Sequence, residues 1–311
     1  MAIVANTFTT FSAIGNREDL ADKIYNISPT DTPFMAAIGK NKATAVLHEW
    51  QTDALDPPAD NAQLEGDETA FAAVTPTVRL GNRCQISKKS VVVSGTQDAV
   101  DKAGRGREMV YQMMLKSKSL RRDMERVLTN NQAPVTGNTT TARQLRPLCG
   151  WYATNDNRGA GGADGTASAA ATDGTQRALT EALAKGVLQA TWDQGGDVDL
   201  IMVGSFNKTV ISGFTGNVTK MQDTSNQKLS ANIDVYRSDF GTHQIKANRF
   251  QRARDAHFLD TSMWALATLR APFTEDLAKT GDATKAHIIT EYTLEARNEA
   301  ASGIVADLLT S

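Results

Sequence analysis

Charge is segregated along residues 43–97 in a way that few self-contained folds tolerate. Across residues 43–78 there is no lysine or arginine, while acids stand at Glu49, Asp53, Asp56, Asp60, Glu65, Asp67 and Glu68. Across residues 69–97 there is no acid, and the bases are Arg79, Arg83, Lys88 and Lys89. Residues 46–51 and 74–93 are rich in β-branched side chains and predict strands. Pro57-Pro58 and Glu65-Gly66-Asp67 predict turns. The pattern describes a long two-armed β-loop over residues 44–95, acidic on one arm and basic on the other, with too little apolar content for a core of its own.

The flanking segments have the same character. In residues 1–43, Leu20, Ile24 and Ile27 share one side of a short helix that Pro29 and Pro33 end. Thr32 then suits an N-cap, Pro33 the first helical position and Gly39 the C′ position of a second short helix carrying Phe34, Met35 and Ile38. A helix of that length does not persist alone in water, so residues 17–43 are expected to lie on a neighbouring subunit.

Residues 96–131 predict one long helix. Val110, Met113, Ser117, Leu120, Met124 and Val127 recur at the helical period, and Gly104 and Gly106 weaken its start. Residues 101–130 hold eight bases and four acids in a chain of net charge −2, which leaves the remainder at −6. Arg107, Lys118, Arg122 and Arg126 fall opposite the apolar stripe. With Glu108 and Glu125 interleaved, that face reads first as solvated, and secondarily as a weak, sequence-independent nucleic-acid contact.

Further on, residues 154–175 are glycine-rich and read as a mobile loop. A helix is expected over 175–190. A buried strand over 199–204 leads into a helix capped by Ser205, and residues 233–250 form a hairpin around Asp239-Phe240-Gly241. Long strands close the chain over residues 263–273 and 288–296, joined by a turn at 279–282. No internal repeat is present.

Chemistry is sparse. His48, His243, His257 and His287 are scattered and read as half-exposed strand residues. Gly104-Arg105-Gly106 lacks a dinucleotide-binding context. Glu65-Gly66-Asp67-Glu68 lacks calcium-loop spacing. Asp197 and Asp199 have no converging partners. Cys84 and Cys149 are too few for a disulfide framework or a zinc site. No catalytic residue, cofactor or metal is assigned. No apolar run approaches the ~20 residues a membrane span needs, and the first residues lack a secretory pattern, so a soluble intracellular chain is expected.

Certain residues carry a family resemblance. The segments Ile27-Ser28-Pro29-Thr30-Asp31-Thr32-Pro33-Phe34, Ile38-Gly39-Lys40, Glu49-Trp50-Gln51-Thr52-Asp53-Ala54-Leu55, Asn61-Ala62 and Glu65-Gly66 resemble the N-terminal signature of the SU10-like major capsid proteins of tailed bacteriophages. Glu295-Ala296-Arg297-Asn298-Glu299-Ala300 with Gly303 resembles that family's closing segment. The resemblance implies an α+β, HK97-like fold: an N-terminal arm (1–43), an extended E-loop (44–95), a P-domain with a long spine helix (96–145), an A-domain (146–260), and a second part of the P-domain with long strands (261–311). It implies a homo-oligomer of hexamers and pentamers, an icosahedral shell around double-stranded DNA, and a virion location after assembly in the host cytoplasm. With the arm beginning at Met1, no long N-terminal scaffolding segment is expected. Portal, separate scaffold and decoration proteins remain open as partners, as do a DNA-free cargo shell of the same fold and an enzyme of unknown chemistry. The expected inter-subunit residues are Phe34, Met35 and Ile38 on the arm, Asp60, Glu65, Asp67 and Glu68 at the loop tip, and Arg107, Lys118, Arg122 and Arg126 on the helix that receives that tip.

Overall fold

The computed structural model describes residues 28–56, 58–66, 68, 71, 73–102, 106–214 and 234–311. The chain enters as a five-residue helix, α1 (Pro33–Ala37), and a short strand, β1 (Gly39–Lys42). Strands β2 (Leu47–Thr52) and β3 (Val78–Arg83) pair antiparallel and carry the long loop between them. After β4 (Gln85–Ser94), the expected single helix is divided into α2 (Gly95–Ala99) and α3 (Glu108–Thr129). Glycine, which costs up to ~1 kcal/mol inside a helix, disfavours a continuous run, and Ser94 caps the short first piece through the amide of Gln97.

The second half alternates short helices and strands: α4 (Leu148–Trp151), β5 (Asp156–Asn157), α5 (Glu181–Asp193), β6 (Leu200–Val203), α6 (Ser205–Ser212), β7 (Val235–Ser238), β8 (Gly241–Ala247) and β9 (Ala256–Leu259). Helix α5 starts at Glu181 rather than near 175, because Thr180 accepts the amide of Leu183 as its N-cap. Two 14-residue strands, β10 (Trp264–Leu277) and β11 (Ala283–Ala296), follow, and then β12 (Gly303–Val305).

These strands form a four-stranded sheet, ordered β1-β10-β11-β4, and a six-stranded sheet, ordered β5-β12-β9-β6-β8-β7. Two expected boundaries shift accordingly. The basic arm of the predicted loop contains β4, which pairs with β11 over ten residues and so belongs to the long sheet. The closing strand β12 pairs with β9 and β5, so it joins the six-stranded sheet rather than the long strands.

Among the described residues there are two large apolar cores and a small cluster of Ala43, Cys84 and Ala267. The first joins Phe34 and Ile38 to Leu120, Met124 and Leu128 of α3, Trp151 of α4, and Trp264, Tyr292 and Leu294 of the long strands. The second lies on the other face of the six-stranded sheet, around Val187, Leu188, Ile201, Val203, Phe258 and Val305. The period-2 alternation of a strand divides β6 between them. Leu200 and Met202 face the first core, while Ile201 and Val203 face the second.

The glycine-rich segment is packed, contrary to the mobile loop expected over 154–175. A Cβ on Gly165 would sit 2.8 Å from the Cα of Gly150, and one on Gly174 would sit 2.5 Å from the carbonyl oxygen of Gly159. The glycines here serve close backbone approach.

Candidate assembly surfaces

The arm meets the spine helix through one carboxylate. Glu125 lies on the turn of α3 that also buries Met124, Leu128 and Thr129, and it is fully buried. Its Oε1 accepts the amide of Phe34 at 2.8 Å, and its Oε2 accepts that of Met35 at 2.9 Å. Asn248 Nδ2 donates to Oε1 at 2.7 Å. Because Thr32 makes no side-chain cap, Glu125 supplies the capping of α1 from 91 residues away. It satisfies two of that helix's free amides and complements its dipole. Burial raises the Glu125 pKa above the ordinary range and outweighs the opposing hydrogen bonds from Met35, Phe34 and Asn248.

This overturns one expectation directly. Phe34 and Ile38 are 0% and 5% exposed inside the chain's own core, Met35 packs partly buried against that core, and β1 pairs in parallel with β10. Residues 28–43 therefore dock on their own subunit, since α3 and β10 already offer the apolar and hydrogen-bonding surface they lack. The portion 17–27 lies outside the described residues.

The base of the long loop is anchored as firmly. Asn82 of β3 is 3% exposed and donates to the carbonyls of Arg146 and Leu294 at 2.9 and 2.8 Å, while its Oδ1 accepts the Arg146 amide at 2.8 Å. Trp50 of β2 lies 5.6 Å from Trp151, on whose ring the Arg146 guanidinium stacks at 4.3 Å. His48 and Asn41 both reach Glu295 Oε2, at 3.0 and 2.7 Å. Burial pushes the Glu295 pKa up, but the hydrogen bonds from His48, Asn41 and Arg297 prevail and hold it below the ordinary value. Arg79 pairs with Glu49 at 3.2 Å, as opposed acidic and basic arms require. Lys89 instead turns to Asp123 on α3, at 2.5 Å.

Beyond this base the chain leaves its own cover. Leu55, Leu64, Phe71 and Val74 are 98%, 81%, 95% and 93% exposed. Asp60, Glu65 and Glu68 are exposed and have no ion-pair partner among the described residues; Asp67 lies outside them.

On α3 the expected basic stripe divides. Arg107 pairs with Asp98 at 3.6 Å, and Arg122 is half-buried with its guanidinium 5.2 Å from the Phe250 ring centroid. Lys118 and Arg126 are exposed. Val110, placed by the helical spacing on the apolar stripe, is instead 63% exposed, and Met114 is 47% exposed. Glu108 and Glu125, read from the sequence as members of a solvated face, are both buried.

Other sequence candidates resolve without catalytic geometry. His243 and His257 are buried rather than half-exposed. Burial drives the His257 pKa down to about 3, which keeps it neutral. Asp199 is engaged by the amide and hydroxyl of Thr261, and so is part of a loop tie. Both cysteines are free and buried. Among the described residues no group of three or more acids, histidines or cysteines is placed to hold a metal ion. Among the same residues no helix is long and apolar enough to cross a membrane.

A long helix laid on a sheet of two 14-residue strands, beside a separate α/β unit and a loop that its own subunit does not cover, is the α+β, HK97-like architecture of a capsid subunit. The sequence matches the SU10 major capsid protein family over residues 3–309, and the chain belongs to that family. It is 27% identical over 338 aligned residues to the major capsid protein of Escherichia phage Phieco32, covering 96% of each chain. Among solved structures it is similar to the capsid asymmetric unit of cyanophage A-1(L), with a TM-score of 0.64 and 15% identity over 97% of this chain and 99% of that one. It is also similar to a chain from Mycobacterium phage Bobi, with a TM-score of 0.63 and 10% identity over 95% and 96%. At those identities the structural likeness speaks for the fold; the family match makes the chain a phage major capsid protein, a structural component of the virion.

Proposed function

We propose that this subunit assembles into the hexamers and pentamers of an icosahedral shell around packaged double-stranded DNA, with each long loop laid on an adjacent subunit. The observation that carries this reading is the uncovered loop. Four large apolar side chains between 81% and 98% exposed lose about 25 cal/mol for every Å² of apolar surface left in water. The exposed apolar and cationic surface of α3 around Val110, Met114, Lys118 and Arg126 has the complementary character for the acidic, apolar tip. Arg107 and Arg122 flank it with charges already partly engaged. Each exposed ion pair contributes only ~0.2–1 kcal/mol, so the burial of Leu64 and Phe71 supplies most of the contact and the charges set its register.

Where the basic surface of α3 is not covered by a loop, its cations support a weak, salt-sensitive, sequence-independent contact with DNA. Assembly takes place in the host cytoplasm, and portal, scaffold or decoration proteins are further partners consistent with a shell. Electron microscopy of the purified protein tests the proposal. Closed shells or capsomer rings are expected. A discrete small oligomer, or shells that form normally but exclude DNA in infected cells, would contradict it, the latter in favour of a cargo shell.

A further inference from the structure

We propose that the glycine-rich segment 158–175, which follows β5, is a lid over the buried Cys149 cluster, latched by Asp307, and that this lid opens independently of the rest of the fold. Asp307 is the one non-glycine residue with a positive φ, +60°, among the described residues. Aspartate adopts that region more readily than most residues, yet it remains an uncommon conformation that its surroundings must hold. Those surroundings are the lid. Asp307 Oδ2 accepts the amide of Gly159 at 3.0 Å, and its Oδ1 accepts Arg254 Nη2 at 2.8 Å. The carboxylate sits so close to the lid backbone that a Cβ on Gly162 or Gly174 would lie 2.9 or 2.8 Å from Oδ2. Arg254 also donates to the Gly174 carbonyl at 2.8 Å and pairs with Asp173 at 3.1 Å. The lid's other ties are polar as well. Arg252 reaches Asp173 at 2.5 Å, Arg146 donates to the Gly165 carbonyl at 3.1 Å, and Asn131 exchanges two bonds with the backbone of Ala171.

Beneath the lid lies Cys149, fully buried. Gly165 packs against Gly150, the next residue. Asp255 Oδ2 accepts from the Cys149 thiol at 3.8 Å, and Arg252 approaches the same sulfur at 3.9 Å. Of the lid's own side chains, Ala171 belongs to the apolar core and most of the rest are polar or glycine. A segment held by hydrogen bonds and ion pairs, with little apolar burial, opens at a lower free energy than the core it covers. The chain carries its own reference probe, because Cys84 is equally buried but packs with Ala43 and Ala267 on the long sheet.

Asp307→Gly keeps the backbone conformation accessible while removing both acceptors. Alkylation of the full-length protein with N-ethylmaleimide, followed by mass spectrometry of each cysteine, is expected to show Cys149 modified at least about tenfold faster than in the wild type, with Cys84 unchanged, as sub-global opening requires. Gly174→Ala, which drives a methyl group against the same carboxylate, is expected to give the same selective signature. Asp307→Asn provides a milder change should the glycine variant fail to accumulate. Parallel acceleration of both cysteines would mean that the segment opens only with global unfolding, and an unchanged Cys149 rate would mean that Asp307 is no latch. Either result overturns the proposal.

Discussion

The carboxylate of Glu125 accepts the backbone amide of Phe34 at 2.8 Å across 91 residues of sequence, and through it the arm, the spine helix and the Asn248 segment are tied at one buried point. Replacing Glu125 by alanine removes the acceptor for two amides and for the Asn248 side chain. At ~1–3 kcal/mol for each buried donor left without a partner, partly relieved by water entry, a total loss of about 3 kcal/mol is expected. Glu125→Gln retains one acceptor oxygen and is expected to lose less. Chemical denaturation of the unassembled subunit measures both.

Phe34 anchors the same junction by packing. It is 0% exposed among Leu120, Met124 and Leu128, so Phe34→Ala is expected to destabilise the isolated subunit by about 3–5 kcal/mol. Had the arm lain on a neighbour, the substitution would leave the monomer untouched and impair assembly alone. Calorimetry below the assembly concentration separates the two outcomes.

How far the sequence carries such conclusions varies with the kind of interaction. The long strands, the 205–212 helix and the 235–247 hairpin are legible because alternation and turn chemistry are local. The charge-segregated loop is legible because like charges in one segment need partners elsewhere. Glu125 is not: a lone acid among arginines reads as solvated, and only the continuation of the buried face to Thr129, one turn further, hints otherwise. Phe34 misleads for the related reason that a five-residue helix discloses nothing about which surface it will dock on. The glycines at 159, 162, 165 and 174 resemble a loose linker in composition, whereas their use is to let backbone approach backbone and Asp307, a contact made across more than 130 residues of chain.

Acid–base behaviour separates two carboxylates. Asp255 is 1% exposed, and burial raises its pKa from 3.8 to about 6 against the pull of Arg252 and Arg158. With the folded pKa above the unfolded one, its contribution is fully present below pH ~4 and is lost as pH rises through about 6, a difference of about 3 kcal/mol at 1.36 per pKa unit. The stability of the wild type relative to Asp255→Asn is therefore expected to fall between pH 4 and pH 7 and then level off. Glu295 has the opposite sign: its lowered pKa gives a contribution that is lost as pH falls through the folded value. Denaturant midpoints across pH for Asp255→Asn and Glu295→Gln, each against the wild type, distinguish the cases.

The proposed loop contact makes an electrostatic prediction. Replacing Glu65, Asp67 and Glu68 by lysine is expected to block assembly, and Lys118→Glu with Arg126→Glu to restore it in part. Arg122 is a poorer compensating site because its guanidinium is committed to Phe250. Light scattering should also show assembly weakening as salt rises, since the Debye length is already ≈ 8 Å at 0.15 M. If the Lys118 and Arg126 changes alone alter the length of DNA retained and leave assembly intact, the surface faces the genome instead of a loop.

The position of the loop tip in an assembled particle tests the central claim most directly. A cryo-electron microscopy reconstruction that resolves side chains is expected to place Leu64 and Phe71 against an adjacent subunit, with Glu65 or Glu68 within ion-pair distance of that subunit's α3 cations, in both hexamers and pentamers. A reconstruction in which the tip rests only on its own subunit, or projects free into solvent, would contradict the account.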